Sequence, residues 1–290
     1  MEKLQQKIIC PLCQESSTRF FCDKNNYDLY KCDNCKLLFV YPLPKTIDVY
    51  DKSYFAGADK GFGYVDYDSD KEPMVPTFNK YLDLLAKFGI KNGKFLDIGA
   101  ATGFFMSLAK ERGFEVSGVE ISPFASEEGR KKGLNIITGE LENAQFPDEF
   151  FDVISLCDVL EHVPNPVTFF REVSRILKKG GLILINTPDA GSLWAKIMGK
   201  RWHLLVPPEH LHYFSSQNIK KYLAKDQFEV KSNIKIGKRF TFKYIFSTLY
   251  KRQGLSLWNF LTKVFSNKGL SNLYIPINLH DNLLMILEKK

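Results

Sequence analysis

The sequence predicts an α/β protein: a doubly wound, largely parallel sheet with a small metal-held module ahead of it. Three observations predict this. From about residue 76 to 236, short apolar runs alternate with amphipathic stretches, the order of strands and helices that builds a parallel sheet. The first run, Phe95-Leu96-Asp97-Ile98, passes through Gly99, Ala101 and Gly103 into a helix. A strand, tight turn and helix N-terminus of this kind offer backbone amides to a nucleotide-like ligand. Third, Cys10, Cys13, Cys32 and Cys35 form two C-x2-C pairs with eighteen residues between them.

That cysteine spacing predicts a zinc ribbon over residues 1–44, each knuckle aiming two thiolates at one tetrahedral ion. A disulfide framework suits small secreted domains, and Met1-Glu-Lys-Leu-Gln-Gln-Lys7 carries no apolar leader. A redox pair needs one C-x-x-C on a thioredoxin-like unit, which the sequence does not show. Cys22 and Cys157 read as small apolar residues. Four thiolates leave no open coordination position, so the expected zinc is structural. Whether the ribbon shapes substrate or caps the main domain is open at this level. Residues 45–75 read as a linker or lid in which Tyr50, Tyr54, Phe55, Tyr64 and Tyr67 are interleaved with acids. Tyr81, Leu84, Leu85 and Phe88 lie on one face of a helix predicted from about Thr77 to Phe88.

The main domain, 76–290, then proceeds strand by strand. The second run, Glu115 to Glu120, ends in an acid, and the third runs from Leu134 to Thr138. Phe151 to Cys157 is a buried fourth strand. Leu177-Lys178-Lys179-Gly180-Gly181 reads as a helix end with a glycine stop, followed by a fifth strand to Pro188. A helix near Ser216–Lys225 precedes a sixth strand, 228–236, and the last strand is 281–289. Residues 237–275 form an insertion. Phe242, Ile245, Phe246 and Leu249 make one apolar helical stripe there; Leu257, Trp258, Leu261, Val264 and Phe265 make another. Two readings stand: a helical pair packed on the domain, or an interfacial patch that meets anionic lipid.

Charge separates the two ends of the chain. The net charge of +7 conceals eleven Lys or Arg against two acids in 231–290, so residues 1–230 stand at −2. A near-neutral body lacks an extended phosphate track, so nucleic acid is not the expected partner. No apolar run approaches the ~20 residues that span a bilayer. The expected setting is the cytoplasm, with peripheral membrane contact through 237–275. Oligomeric state leaves no mark on the sequence.

The order Asp97-x-Gly99-x-Ala101-x-Gly103 resembles motif I of the class I S-adenosylmethionine (SAM) methyltransferases. Ala101 stands where that family usually has glycine; the extra methyl fits if its φ is negative, which is the expectation here. Three further segments match in order. Glu120 lies at the offset of a ribose-binding acid, Gly139-Glu140-Leu141 is similar to the family's adenine-contacting segment, and Leu177-Lys-Lys-Gly-Gly resembles its "LKPGG" string. The resemblance implies a Rossmann-like seven-stranded sheet whose last strand is antiparallel. It implies SAM as cofactor, with contacts from Asp97, Gly99, Ala101, Gly103, Glu120, Ile121, Glu140, Leu141 and Asp158. Asp158-x-x-Glu161-His162 is similar to the E-x-x-E-H metal motif of ubiquinone-pathway and small-RNA O-methyltransferases, with a further ligand from His210 or His212. The same string occurs in methyltransferases without metal, and the metal-free reading is preferred. Three of the five histidines fall within residues 203–212. His162, His210 and His212 are therefore the candidate acid–base residues on the acceptor side. The implied reaction is methylation of a small molecule, sugar or lipid-linked glycan. An RNA methyltransferase and a SAM-binding protein without turnover are the alternatives.

Overall fold

The computed structural model describes residues 7–44, 67–267, 270 and 273–290. Tyr50, Tyr54, Phe55 and Tyr64 of the expected lid lie outside the described residues. The cysteine module begins with strands β1 (Thr18–Lys24), β2 (Tyr27–Cys32) and β3 (Leu38–Val40), paired antiparallel in that order. Asn25 and Asn26 join β1 to β2 with φ of 53° and 64°. A two-residue turn with both φ positive matches the twist of the strands it joins, and asparagine tolerates it best among non-glycine residues.

Helix α1 (Val75–Lys87) buries Phe78, Tyr81, Leu82 and Leu85, so of the expected stripe Tyr81 and Leu85 are buried while Leu84 and Phe88 are half-buried. The chain continues with β4 (Gly93–Ile98), α2 (Phe104–Glu111), β5 (Phe114–Glu120), α3 (Pro123–Lys131), β6 (Ile136–Thr138) and β7 (Phe151–Cys157). Next come α4 (Pro166–Ile176), β8 (Leu177–Pro188), α5 (Leu193–Met198), β9 (His212–Tyr213) and β10 (Phe228–Lys235). The final elements are β11 (Lys238–Thr241), α6 (Phe242–Gln253), α7 (Ser256–Val264), β12 (Tyr274–Ile277) and β13 (Asn282–Lys289).

Seven strands form one sheet in the order β10-β13-β8-β7-β4-β5-β6. β4, β5 and β6 are parallel, as are β7 and β8; β13 runs antiparallel to both β8 and β10. The Rossmann-like sheet with an antiparallel last strand is therefore present. Leu182–Ile185 of β8 and Leu283–Leu287 of β13 have 0% exposure, so both sheet faces are covered there. Strands buried on two faces read as continuous apolar runs, which is why they were visible in the sequence.

One boundary differs from expectation. α4 stops at Ile176, and Leu177 is extended, buried and paired with Phe151. The ladder then breaks and resumes at Val153↔Leu182, so Lys178–Gly181 form an irregularity inside the strand instead of a helix end. Gly180, with φ 73°, makes that excursion sterically possible.

The chain divides into two compact units. One comprises Met1–Val49, Leu141–Ile236 and His280–Lys290; the other comprises Tyr50–Glu140 and Gly237–Leu279. No helix among the described residues is long and apolar enough to cross a membrane.

Candidate functional site

In the second unit, the turn after β4 carries the nucleotide-type cradle. Gly99 and Gly103 have φ of 71° and 77°. A Cβ at Gly103 would stand 2.2 Å from Leu134 Cδ1, so a side chain is excluded by space as well as by φ. Ala101 also lies in the left-handed region, at φ 49°, which corrects the expectation of a negative value. Such a φ costs a non-glycine residue on the order of 1–2 kcal/mol. Glu120 holds the turn in place against that cost. Its Oε2 accepts from the Ala101 N–H at 2.8 Å and its Oε1 from the Ser122 N–H at 2.8 Å. The buried carboxylate thus ties the end of β5 to the turn after β4. Burial pushes its pKa up, and the backbone donors Ser122 and Ala101 pull it back. Asp97 is buried at the end of β4, Ile121 is half-buried and Glu140 is exposed. The turn has open backbone geometry, acids at two strand ends and no bulky side chain at Gly99 or Gly103, which fits the polar half of SAM.

The energetics of this turn can be tested by paired variants. Ala101→Gly relieves the φ cost but loses a buried methyl and loosens the unfolded chain, so stability should stay within about 1 kcal/mol of wild type. Ala101→Val adds volume and a β-branch to a left-handed position and should cost about 2–3 kcal/mol. Urea midpoints compare the two; equal midpoints would contradict the left-handed assignment.

In the first unit, Leu141 is buried and Asp158, with φ 56°, donates its N–H to the Asn186 carbonyl at 2.8 Å. The chain then enters a single 3-10 turn, Leu160–His162. Glu161 is buried, and its Oε2 accepts from Thr187 Oγ1 at 2.8 Å. His162 Nδ1 lies 2.6 Å from the Glu209 carbonyl, and His210 Nδ1 lies 2.9 Å from the Leu204 carbonyl. A carbonyl only accepts, so both rings carry a proton on Nδ1, and in the neutral form Nε2 is the acceptor atom. The two rings meet edge to face at 4.9 Å. Ligand atoms of Glu161, His162 and His210 all lie within 4.8 Å of one another. Two oriented imidazoles beside a hydrogen-bonded carboxylate are a donor set for a divalent cation, or a pair of proton acceptors.

The structure does not bring every candidate into that group. His212 is fully buried and its ring lies tilted on Phe214 at 5.9 Å. Burial pushes its pKa down to about 4, so it is neutral at pH 7. Asp158 is not among the clustered ligand atoms. Thr187, which holds Glu161, was missed by sequence reasoning; nothing in the string Asn186-Thr187-Pro188 marks it as the partner of a residue 26 positions earlier.

The ribbon cysteines converge as their spacing predicts. Cys10 Sγ and Cys35 Sγ are 3.5 Å apart, as are Cys13 Sγ and Cys32 Sγ. Tetrahedral zinc with Zn–S bonds of about 2.3 Å implies S···S edges of about 3.8 Å, so the set fits that ion. Each knuckle closes alike: Gln14 N–H donates to the Cys10 carbonyl and Lys36 N–H to the Cys32 carbonyl, both at 3.0 Å. The residues that end the knuckles, Gln14 and Lys36, have φ of 61° and 65°.

The ribbon is also joined to the histidine segment. β3 pairs with β9, Val40 N–H donates to the Leu211 carbonyl at 2.9 Å, and Leu211 N–H donates to the Glu161 carbonyl at 2.8 Å. Asn25 Nδ2 donates to the Pro207 carbonyl at 2.7 Å, and Asn218 Nδ2 to the Cys35 carbonyl at 2.6 Å. Leu29, Leu38 and Val40 share an apolar cluster with Trp202, Leu205 and Tyr213.

A conserved-domain profile described as a methyltransferase domain matches residues 76–233, more than half of the chain. The chain belongs to that family, and its sheet order is the fold of the class I SAM-dependent methyltransferases. Among curated relatives, it is 36% identical to the uncharacterized protein MJ1123 of Methanocaldococcus jannaschii, over 37% of this chain and 51% of the relative. It is 30% identical to a ubiquinone biosynthesis O-methyltransferase of Pseudomonas aeruginosa, over 43% of this chain and 58% of the relative. The chain thus spans somewhat over half the length of these curated relatives. A putative sarcosine dimethylglycine methyltransferase from Galdieria sulphuraria shares the fold, with a TM-score of 0.52 at 15% identity over 75% of this chain and 87% of that one. The YcgJ protein from Bacillus subtilis aligns with a TM-score of 0.52 at 19% identity, over 73% and 98%.

Proposed function

We propose that the chain transfers a methyl group from SAM to an oxygen or nitrogen of a small molecule, sugar or lipid-linked glycan. The observation that carries this reading is the buried Glu120 carboxylate holding the Gly99–Gly103 turn by the Ala101 N–H. When bound, SAM supplies a methyl group already activated for in-line displacement, so the protein has mainly to align the acceptor and exclude water. Asp97 and Glu120 provide the acidic groups for the amino-acid and ribose ends of the cofactor. The acceptor's proton passes to Nε2 of His162 or His210, whose Nδ1 protons are engaged by the carbonyls of Glu209 and Leu204.

A second reading of the same residues is a divalent cation held by Glu161, His162 and His210, supported by their mutual distances. In that case Glu161, His162 and His210 would hold the ion, which would supply Lewis-acid polarisation of an acceptor oxygen.

Calorimetry with S-adenosylhomocysteine tests the cofactor assignment. Hydrogen bonds to charged groups contribute on the order of 1.5–3 kcal/mol, so Asp97→Ala and Glu120→Ala should each weaken affinity by roughly tenfold or more. Unchanged affinity in both variants would remove the assignment. Incubation with labelled SAM and fractionated cell extract, read by mass spectrometry, then identifies the acceptor. Cofactor binding with no labelled small molecule would favour a non-catalytic role, and label in RNA would favour the nucleic-acid alternative.

A further inference from the structure

Residues 237–279 of the second unit carry a surface that the methyl-transfer reading does not use. β11 and β12 close the base of this segment as an antiparallel pair, from Lys238↔Ile277 to Thr241↔Tyr274. Above it, α6 and α7 pack on each other. Phe246 stacks on Trp258 at 5.9 Å, and Phe242 and Phe246 lie 5.2 and 5.3 Å from Phe265. These aromatic contacts absorb one stripe of each helix, yet they bury little. Among the described residues of 237–279, only Thr241 is buried.

What remains outside is apolar. Leu255, Leu257 and Phe260 are 52%, 56% and 62% exposed, and Leu273, Tyr274 and Ile275 of the hairpin are exposed too. Leu257 and Phe260 stand three apart on α7, on one helical face. The charges of the segment have one sign. Residues 237–279 contain seven Lys or Arg and no Asp or Glu. Lys243 and Lys263 are the described lysines on α6 and α7; the side chains of Lys251 and Arg252 lie outside the described residues.

We infer that this helical pair is a docking surface for an anionic lipid bilayer. Apolar side chains on a short helix enter the headgroup–acyl boundary, while a purely basic surround attracts anionic headgroups. A neutral or basic protein partner would leave the single-signed charge without a role; an anionic bilayer meets both the basic charge and the exposed apolar face at once. The inference is independent of the methyl-transfer reading, because binding is read without turnover.

Sedimentation of the full chain with vesicles tests it. Binding to phosphatidylglycerol–phosphatidylcholine vesicles should exceed binding to pure phosphatidylcholine and should fall as salt rises. Near such a surface each basic side chain contributes about fivefold in partitioning. Lys243→Glu with Lys263→Glu should therefore lower binding by at least about thirtyfold. Leu257→Ser with Phe260→Ser should abolish the salt-resistant part. Both double variants should keep the wild-type affinity for S-adenosylhomocysteine, which shows that they fold. Absence of vesicle binding, equal binding to neutral vesicles, or wild-type binding by both variants would overturn the inference. So would a wild-type dimer in solution that Leu257→Ser with Phe260→Ser converts to monomer, because the surface would then be covered by a second copy.

Discussion

Replacing Cys10 and Cys32 by serine should strip the protein of zinc and loosen residues 202–214 along with the ribbon itself. Zinc ribbons have little core, and structural zinc in small modules contributes apparent free energies of about 10–16 kcal/mol at neutral pH. Here the ion would sit at one end of a connected path. β3 pairs with β9, and Leu211 bonds Val40 on one side and Glu161 on the other. Asn25 holds Pro207, and Asn218 holds Cys35. Loss of the metal site removes the order of β1–β3 and with it those partners. Elemental analysis should give one zinc per wild-type chain and none in the variant. Hydrogen exchange should quicken at Leu211 and Tyr213 in the variant, while the amides of β13, paired on both sides by β8 and β10, stay protected. A metal-free wild type with a folded N-terminus would refute the zinc assignment. Unchanged exchange at Leu211 would refute the path.

The second large effect is expected on turnover. Glu161→Gln, His162→Ala and His210→Ala should each lower the methylation rate by roughly 10²–10⁴, the range of a lost acid–base group, while S-adenosylhomocysteine still binds. The two readings of the cluster then separate by two measurements. A proton acceptor gives a rate that rises with pH through the histidine range and needs no added cation. A metal site gives a rate restored by added Mg²⁺ or Mn²⁺ and a second metal equivalent in the wild type that Glu161→Gln or His210→Ala removes while the zinc stays. If all three variants keep the wild-type rate, the cluster is structural and the acceptor needs no protein base.

The elements that were legible had local causes. Phe151–Cys157 and Leu182–Pro188 are mostly apolar, interrupted only by Asp152, Ser155, Asn186 and Thr187, because most of both faces is covered, and such a run needs no partner to be recognised. α1 was visible in its apolar face, and the ribbon in the spacing of four cysteines, because tight knuckles and a single ion allow few spacings. The boundary at Leu177 was misread because Lys178-Lys179-Gly180-Gly181 has the composition of a helix end. What decides it is the pairing of Leu177 with Phe151, a contact with a residue 26 positions away. The φ of Ala101 was misjudged for a similar reason: its N–H is held by Glu120, 19 residues on.

From the sequence alone came the α/β class, the strand order in the chain, the cradle at Gly99–Gly103 and the thiolate set of Cys10, Cys13, Cys32 and Cys35. All of these depend on residues close in the chain or on a spacing the chemistry restricts. Tertiary structure alone brought His210 beside His162 and Glu161 and joined the ribbon to the segment that bears His210. It also set His212 apart as a buried, neutral ring. Those outcomes rest on the carbonyls of Leu204 and Glu209, the hydroxyl of Thr187 and a two-residue strand at His212–Tyr213. Backbone carbonyls are the same in every residue, and a strand of two residues has no periodicity, so neither leaves a trace until the chain has folded.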